Sequence, residues 1–424
     1  MHTRTIKRYV ALLVTVSGMA ALTMNATALS KLVTGSLAES GQSYLAANTG
    51  TVPALEVKGT AAFYNGVNIN LTSTTNSAGY SSFAGYAREG GMMWLSGGTV
   101  NSIFGTGLGV TTHSSGSFYN VTIIGGGQAV RVLGTSSVLL EECSITSDNG
   151  SGVYLEYSST GILRNVDIRS GGYGIYGRYE NTTVSAENVS VVTTGNGVSG
   201  IYLTPSSNAS LLNVSIRTEG DNGMGVHARH TSTITMTDGV IATVGANSHG
   251  VYTSANGAVV LDRVTVSVAG DGAHGVFANN GRVSGSNVIL TASGSGANAI
   301  QTGSGERDSG VNSAVSFYHG ALTVTGDLIV NGTAHNTVVL LDHVQVFHGG
   351  NVATNAGIGT LSMTMVGMEL SGGITGSGSS STTVSLDDSR LFGDITANDD
   401  AALTVNLDNA SELTGKIDPV DLSV

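Results

Sequence analysis

The sequence predicts an all-β chain wound as a single right-handed parallel β-helix of about 15 coils, and three observations carry that prediction. Composition is the first. Of 424 residues only 11% are charged, 61 are Gly and 3 are Pro, while 40% are hydrophobic. A chain poor in Lys and Glu but rich in Val, Ile, Thr and Gly favours strands and tight turns over helices. The second is a repeat. Gly152-Val153-Tyr154 recurs as Gly174-Ile175-Tyr176, Gly200-Ile201-Tyr202, Gly225-Val226-His227, Gly250-Val251-Tyr252 and Gly275-Val276-Phe277, with Ala299-Ile300-Gln301 as a divergent copy. The successive intervals are 22, 26, 25, 25, 25 and 24 residues. The third is an alternation of period two inside each copy and inside a second element between copies. That element reads "FYNVTI" (Phe118 to Ile123), "LRNVDI" (Leu163 to Ile168), "LLNVSI" (Leu211 to Ile216), "LDRVTV" (Leu261 to Val266) and "GSNVIL" (Gly285 to Leu290). Helical repeats need apolar stripes of period 3.6, and a propeller blade needs about 40 residues. Three short strands and three turns fit the interval found here.

In chain order, residues 1–28 read as a signal peptide. Arg4, Lys7 and Arg8 precede an apolar run from Val10 to Met24, and Ala26-Thr27-Ala28 supplies the small-x-small cleavage pattern. The run of about fifteen residues is shorter than the roughly 20 of a membrane-spanning helix, and no later stretch is apolar for long enough. Residues 29–117 are irregular coils, with Thr60 to Leu71 as one coil and Ser73 to Gly91 as a loop that leaves the helix. Residues 118–320 hold the regular repeats. From 321 to 424 the period drops to about 21 or 22, with Ile374, Ile395 and Ile417 keeping the count. No linker divides independent domains, so one elongated rod is expected, about 70 Å long at about 4.8 Å per coil.

Stacking places Val153, Ile175, Ile201, Val226, Val251, Val276 and Ile300 in one inward column. Asn120, Asn165, Asn188, Asn213 and Asn287 occur where the inward parity shifts, so each reads as a corner, since Asn tolerates left-handed backbone and can form a hydrogen-bonded ladder. Cys143, the single cysteine, falls in an inward column with Val166, Val189, Val214, Val264 and Val288 and reads as a buried filler. No disulfide can form within the chain.

The signal peptide, the scarcity of cysteine, the Gly/Ser/Thr/Asn bias and the coils "SLDDSRLFGDIT" and "LTVNLDNASELTGKI" together resemble the passenger region of bacterial autotransporters of the pertactin-like kind. Ser389 to Ile395 and Ser411 to Ile417 carry the closest match. The resemblance implies a right-handed β-helix exported through Sec, followed in the full-length form by an outer-membrane barrel. It also implies a role as an adhesin or a virulence-associated surface-interaction protein. The sequence ends at "KIDPVDLSV" without alternating amphipathic barrel strands, so truncation of a longer polypeptide is expected. The expected location is the cell surface or the exterior if a barrel is supplied, and otherwise the periplasm.

Tyr154, Tyr176, Tyr202, Tyr252 and Phe277, with His227 among them, form an outward ladder and the best candidate binding face, for a host-surface protein or a glycan. Ring stacking that stabilises the sheet explains the ladder as well. His249 and His274 occupy one place in neighbouring coils. With Met224 before them and Asn298 after, they read as a solvent-facing corner without a metal. No cofactor is expected. The net charge of −12 and the absence of Lys/Arg clusters after the N-terminus exclude a nucleic-acid groove. The rival is a polysaccharide-degrading enzyme of the pectate-lyase or polygalacturonase type. Such chemistry needs acids clustered on one strand face. Asp387-Asp388 and Asp399-Asp400 are adjacent pairs instead, Asp221 and Asp271 sit in turns, and "RDSG" (Arg307 to Gly310) lacks the context of a serine-protease nucleophile. No residue is assigned a catalytic role.

Overall fold

A computed structural model describes residues 31–46, 53–72, 82–303, 312–332, 336–356, 358–398 and 400–419, and every regular element in them is a β-strand. The expected signal peptide, residues 1–28, lies outside the described residues. The protein is an all-β parallel solenoid of about 15 turns, built from two compact units, residues 1–168 and 169–424.

In the first unit the short strands Leu55–Lys58, Phe83–Arg88, Thr106–Thr111, Val130–Leu133 and Val153–Glu156 pair in parallel in that order. Their register aligns Leu55, Gly85, Leu108, Val130 and Val153. In a second sheet Ala61–Leu71 pairs with Leu37–Ser40 and Ser43–Ala46 before it and with Met92–Ser102 after it. The expected loop from Ser73 to Gly91 is corrected in its second half. Residues 83–88 form a strand of the stack, because Phe83, Ala84 and Ala87 can be buried there. Residues 73–81 lie outside the described residues.

In the second unit the inward column runs Ile175, Ile201, Val226, Val251, Val276, Ile300, Ile329, Ala353, Ile374, Ile395 and Ile417, each in register with the next. From Ile175 to Ile300 these side chains are wholly buried. The coil differs in detail from three separate strands. In the regular coils the second and third sides merge into one 11-residue strand, as in Thr183–Thr193, Thr233–Thr243 and Ala258–Val268. Each bends at a single left-handed residue. Nearer the C-terminus the third side separates into Glu369–Ser371, Arg390–Phe392 and Glu412–Thr414, a parallel sheet of its own.

The bend is where the predicted Asn corners lie. Asn120, Asn165, Asn188, Asn213 and Asn287 all have φ between 51° and 54°. Asn213 Nδ2 donates to Asn188 Oδ1 at 2.8 Å, one rung of a ladder. The same position in other coils is filled by Glu142, Asp238, Arg263, His319 and His343, also at positive φ. Cys143 is buried, and its thiol donates to the carbonyls of Phe118 and Glu141 at 3.3 Å each. Burial raises its pKa, so the thiol is held in its unreactive protonated form.

Candidate functional site

The ladder grows out of strand alternation. Because Ile201 and Val226 point inward, Tyr202 and His227 must point to the other face, and parallel register stacks like on like. In the second unit the rings run Tyr176 to Tyr202 at 5.1 Å, Tyr202 to His227 at 4.6 Å, His227 to Tyr252 at 4.5 Å and Tyr252 to Phe277 at 5.3 Å between centroids. Three of these contacts are stacked, and His227 meets Tyr252 edge-on at 85°. Tyr154, in the first unit, is buried. Its hydroxyl donates to Glu156, and the guanidinium of Arg131 lies over its ring.

A second column of rings covers part of this face, and sequence reading missed it. Tyr173 lies 4.9 Å from Tyr176 and 5.1 Å from Tyr202, leaving Tyr202 only 8% exposed. His249 stacks on Phe277 at 4.8 Å and on His274 at 5.0 Å, with His249 and His274 within 7° of parallel. The expectation of solvent-facing histidines is therefore corrected. His249 is buried because its ring fills the space beside the aromatic ladder.

These imidazoles work as hydrogen-bond acceptors. The His274 backbone N–H donates to His249 Nδ1 at 3.0 Å, and the Asn298 N–H donates to His274 Nδ1 at 3.1 Å. Both rings must then be neutral with the proton on Nε2. Burial pushes His249 down to about 3, with the neighbouring His274 adding to the effect, and pushes His274 down to about 4. His227 is likewise lowered to about 3, first by burial and then by Arg229 and His230. Along the same column Asn298 Oδ1 accepts the Asp327 N–H at 3.0 Å, and Asp327 Oδ1 accepts the Asn351 N–H at 2.7 Å. Histidine, asparagine and aspartate are thus interchangeable acceptors for the next coil's backbone.

The turn acids do the same. Asp221 Oδ1 accepts the Ala246 N–H at 2.8 Å, Asp271 Oδ1 the Ser295 N–H at 2.9 Å and Asp394 Oδ1 the Lys416 N–H at 2.8 Å. Asp387 accepts from Asn409, and Asp388 is a corner residue with φ 48°. Asp400 sits in an exposed turn, while Asp399 and the "RDSG" segment lie outside the described residues. Among the described residues, no three His, Cys, Asp or Glu are grouped to hold a metal, and no helix is long and apolar enough to cross a membrane.

A different surface feature lies in the first unit. Phe63 and Trp94, in register on adjacent coils, stack at 4.3 Å and 5°. They wall an open cleft of about 350 Å³ with Asn65, Ser96, Ser117 and Tyr119. The interval from Phe63 to Trp94 departs from the repeat length, so no periodicity in the sequence reveals the pair.

A family model described as a right handed beta helix region matches residues 106–242. No curated protein matches the chain. Together with the parallel coils, the family match defines the class of fold as a right-handed parallel β-helix.

Proposed function

We propose that this chain is the β-helical part of an exported, non-catalytic surface protein of the autotransporter-passenger type, acting by contact with a protein or glycan outside the cell. The observation that carries this reading is the employment of its acids. Asp221, Asp271, Asp327 and Asp394 each accept a backbone N–H from the following coil, which ties them into the architecture. A hydrolase or lyase of this fold would instead gather carboxylates on one outward face. The scaffold also presents large apolar side chains to solvent, including Phe63, Tyr119, Tyr157 and Phe347, and such groups favour association.

The right-handed β-helix equally suits a polysaccharide lyase or hydrolase, and one experiment separates the two. Purified protein is incubated with a panel of acidic polysaccharides, and unsaturated and reducing ends are measured beside binding to host cells and immobilised glycans. Saturable binding without new chain ends is the expected result. Release of either kind of end at a rate proportional to protein concentration would overturn it.

A further inference from the structure

We propose that the cleft beside Phe63 and Trp94 binds a neutral oligosaccharide. The proposal deepens the surface-interaction reading above and rests on it, naming one site and one ligand class. Its first support is how the rings are displayed. Phe63 is 49% exposed although it is stacked on Trp94. The positions in register beyond the pair are Ala38 on one side and Ser117 on the other. Both are small, so the column does not cap the outer faces of the stack. An apolar ring face left open on a rigid sheet suits the C–H face of a pyranose.

The second support is the polar rim. Asn65, Ser96 and Tyr119 follow one another in register two residues along the same strands. They bring amide and hydroxyl groups to the cleft, with Ser117 at its end. Apolar walls with a few convergent neutral donors and acceptors are what a sugar's hydroxyls and ring faces require together. Volume agrees: about 350 Å³ lies near the lower end of ligand clefts, at roughly 300–1,000 Å³. Charge selects the class of sugar. The lining holds one carboxylate, Glu39, which is ion-paired with Lys31, and no Lys or Arg. Glu142 hydrogen-bonds the Tyr119 hydroxyl from the next coil, and Glu141 lies in register with Tyr119. At the Tyr119 side, uronic acids, sialic acids and sulfated sugars would meet the like charge of Glu141 and Glu142.

Trp94 is the single tryptophan of the chain, so its fluorescence reports on this cleft alone. The protein is titrated with cellohexaose, xylohexaose, mannohexaose and N-acetylchitohexaose, and with hexagalacturonate as the acidic counterpart. At least one neutral hexasaccharide is expected to shift or quench the emission saturably, and hexagalacturonate is expected to have no effect. Ser117→Leu fills the cleft and continues a column that carries Leu139 in the next coil. It should weaken the response about tenfold or more, with thermal unfolding unchanged. Phe63→Ala, which needs no added volume, should weaken it similarly, about tenfold. An emission unmoved by every neutral sugar, a response to hexagalacturonate alone, or full affinity in both variants would overturn the site. Retained binding of both variants to cells, alongside loss of the sugar response, would place the cell contact elsewhere and leave this cleft's specificity standing.

Discussion

Asn213 holds φ at 52° at the bend of its coil and donates to Asn188 across the stack. Two changes separate its two roles. Asn213→Gly keeps the left-handed backbone and should cost less than about 1 kcal/mol, whereas Asn213→Val forces a β-branched residue into that region and should cost about 2 kcal/mol or more. Denaturant unfolding measures the difference. Glycine acts by another route in the turn column. A Cβ on Gly245 would strike the backbone carbonyl of Gly220, and one on Gly270 the carbonyl of Gly245. Coils pass too closely there for a side chain, so Gly245→Ala should destabilise by about 2 kcal/mol even though its conformation is ordinary. At Tyr202 the rings of Tyr173, Tyr176 and His227 crowd the side chain. Tyr202→Ser should therefore lower stability by about 3 kcal/mol. The less covered Tyr252→Ser should cost less, and the same pair tested for cell binding separates packing from recognition at this ladder.

Among the elements, three shielded histidines, His249 buried and His227 and His274 half-buried, make the regular coils sensitive to acid. His227 and His249 are lowered to about 3 and His274 to about 4, below the ordinary value of 6.5. The unfolded chain therefore binds protons near pH 6.5 that the folded chain refuses. Their contribution to stability is whole above pH 6.5 and is lost progressively as pH falls toward 4 and then 3. At pH 5 the loss is about 2 kcal/mol for each fully shielded ring, and less for one partly open to water. His249→Asn combined with His274→Asn keeps acceptors in the column, as Asn298 does naturally, and removes the titration. The double variant should show a shallower fall in melting temperature between pH 6.5 and 4.5 than the parent, read by circular dichroism. An unchanged slope would mean that the rings are not protected by the fold.

At the scale of the molecule, stability is a sum of neighbouring coils, because each strand pairs with the coil before and the coil after. Val251→Asp buries a charge in a wholly apolar column and should open its own neighbourhood first. Limited proteolysis is expected to cut between residues 226 and 276. Hydrogen exchange in the coils of Ile374 and Ile395 should stay at the parent rate, whereas uniform loss of protection would contradict nearest-neighbour behaviour. The proposed surface contact belongs to this scale too, and the cell-binding assay tests it.

What the sequence determined by itself was the coil: its strands, its period, its inward column from Ile175 to Ile300, its Asn corners and the buried Cys143. These are legible because parallel stacking repeats the same local demand every 22 to 26 residues in the regular region, and selection for one buried column writes the same letters each time. Tertiary structure alone decided what lies beside a column rather than along it. Tyr173 against Tyr202 and His249 against Phe277 are contacts between positions that the repeat interval does not link. The Phe63–Trp94 cleft was hidden for the same reason, since coils of unequal length bring the two rings into register only once they are wound. His249 shows the boundary most plainly. Its sequence position placed it at a corner, but the void next to the ladder, and the backbone N–H waiting above it, decided that the ring would be buried, neutral and an acceptor.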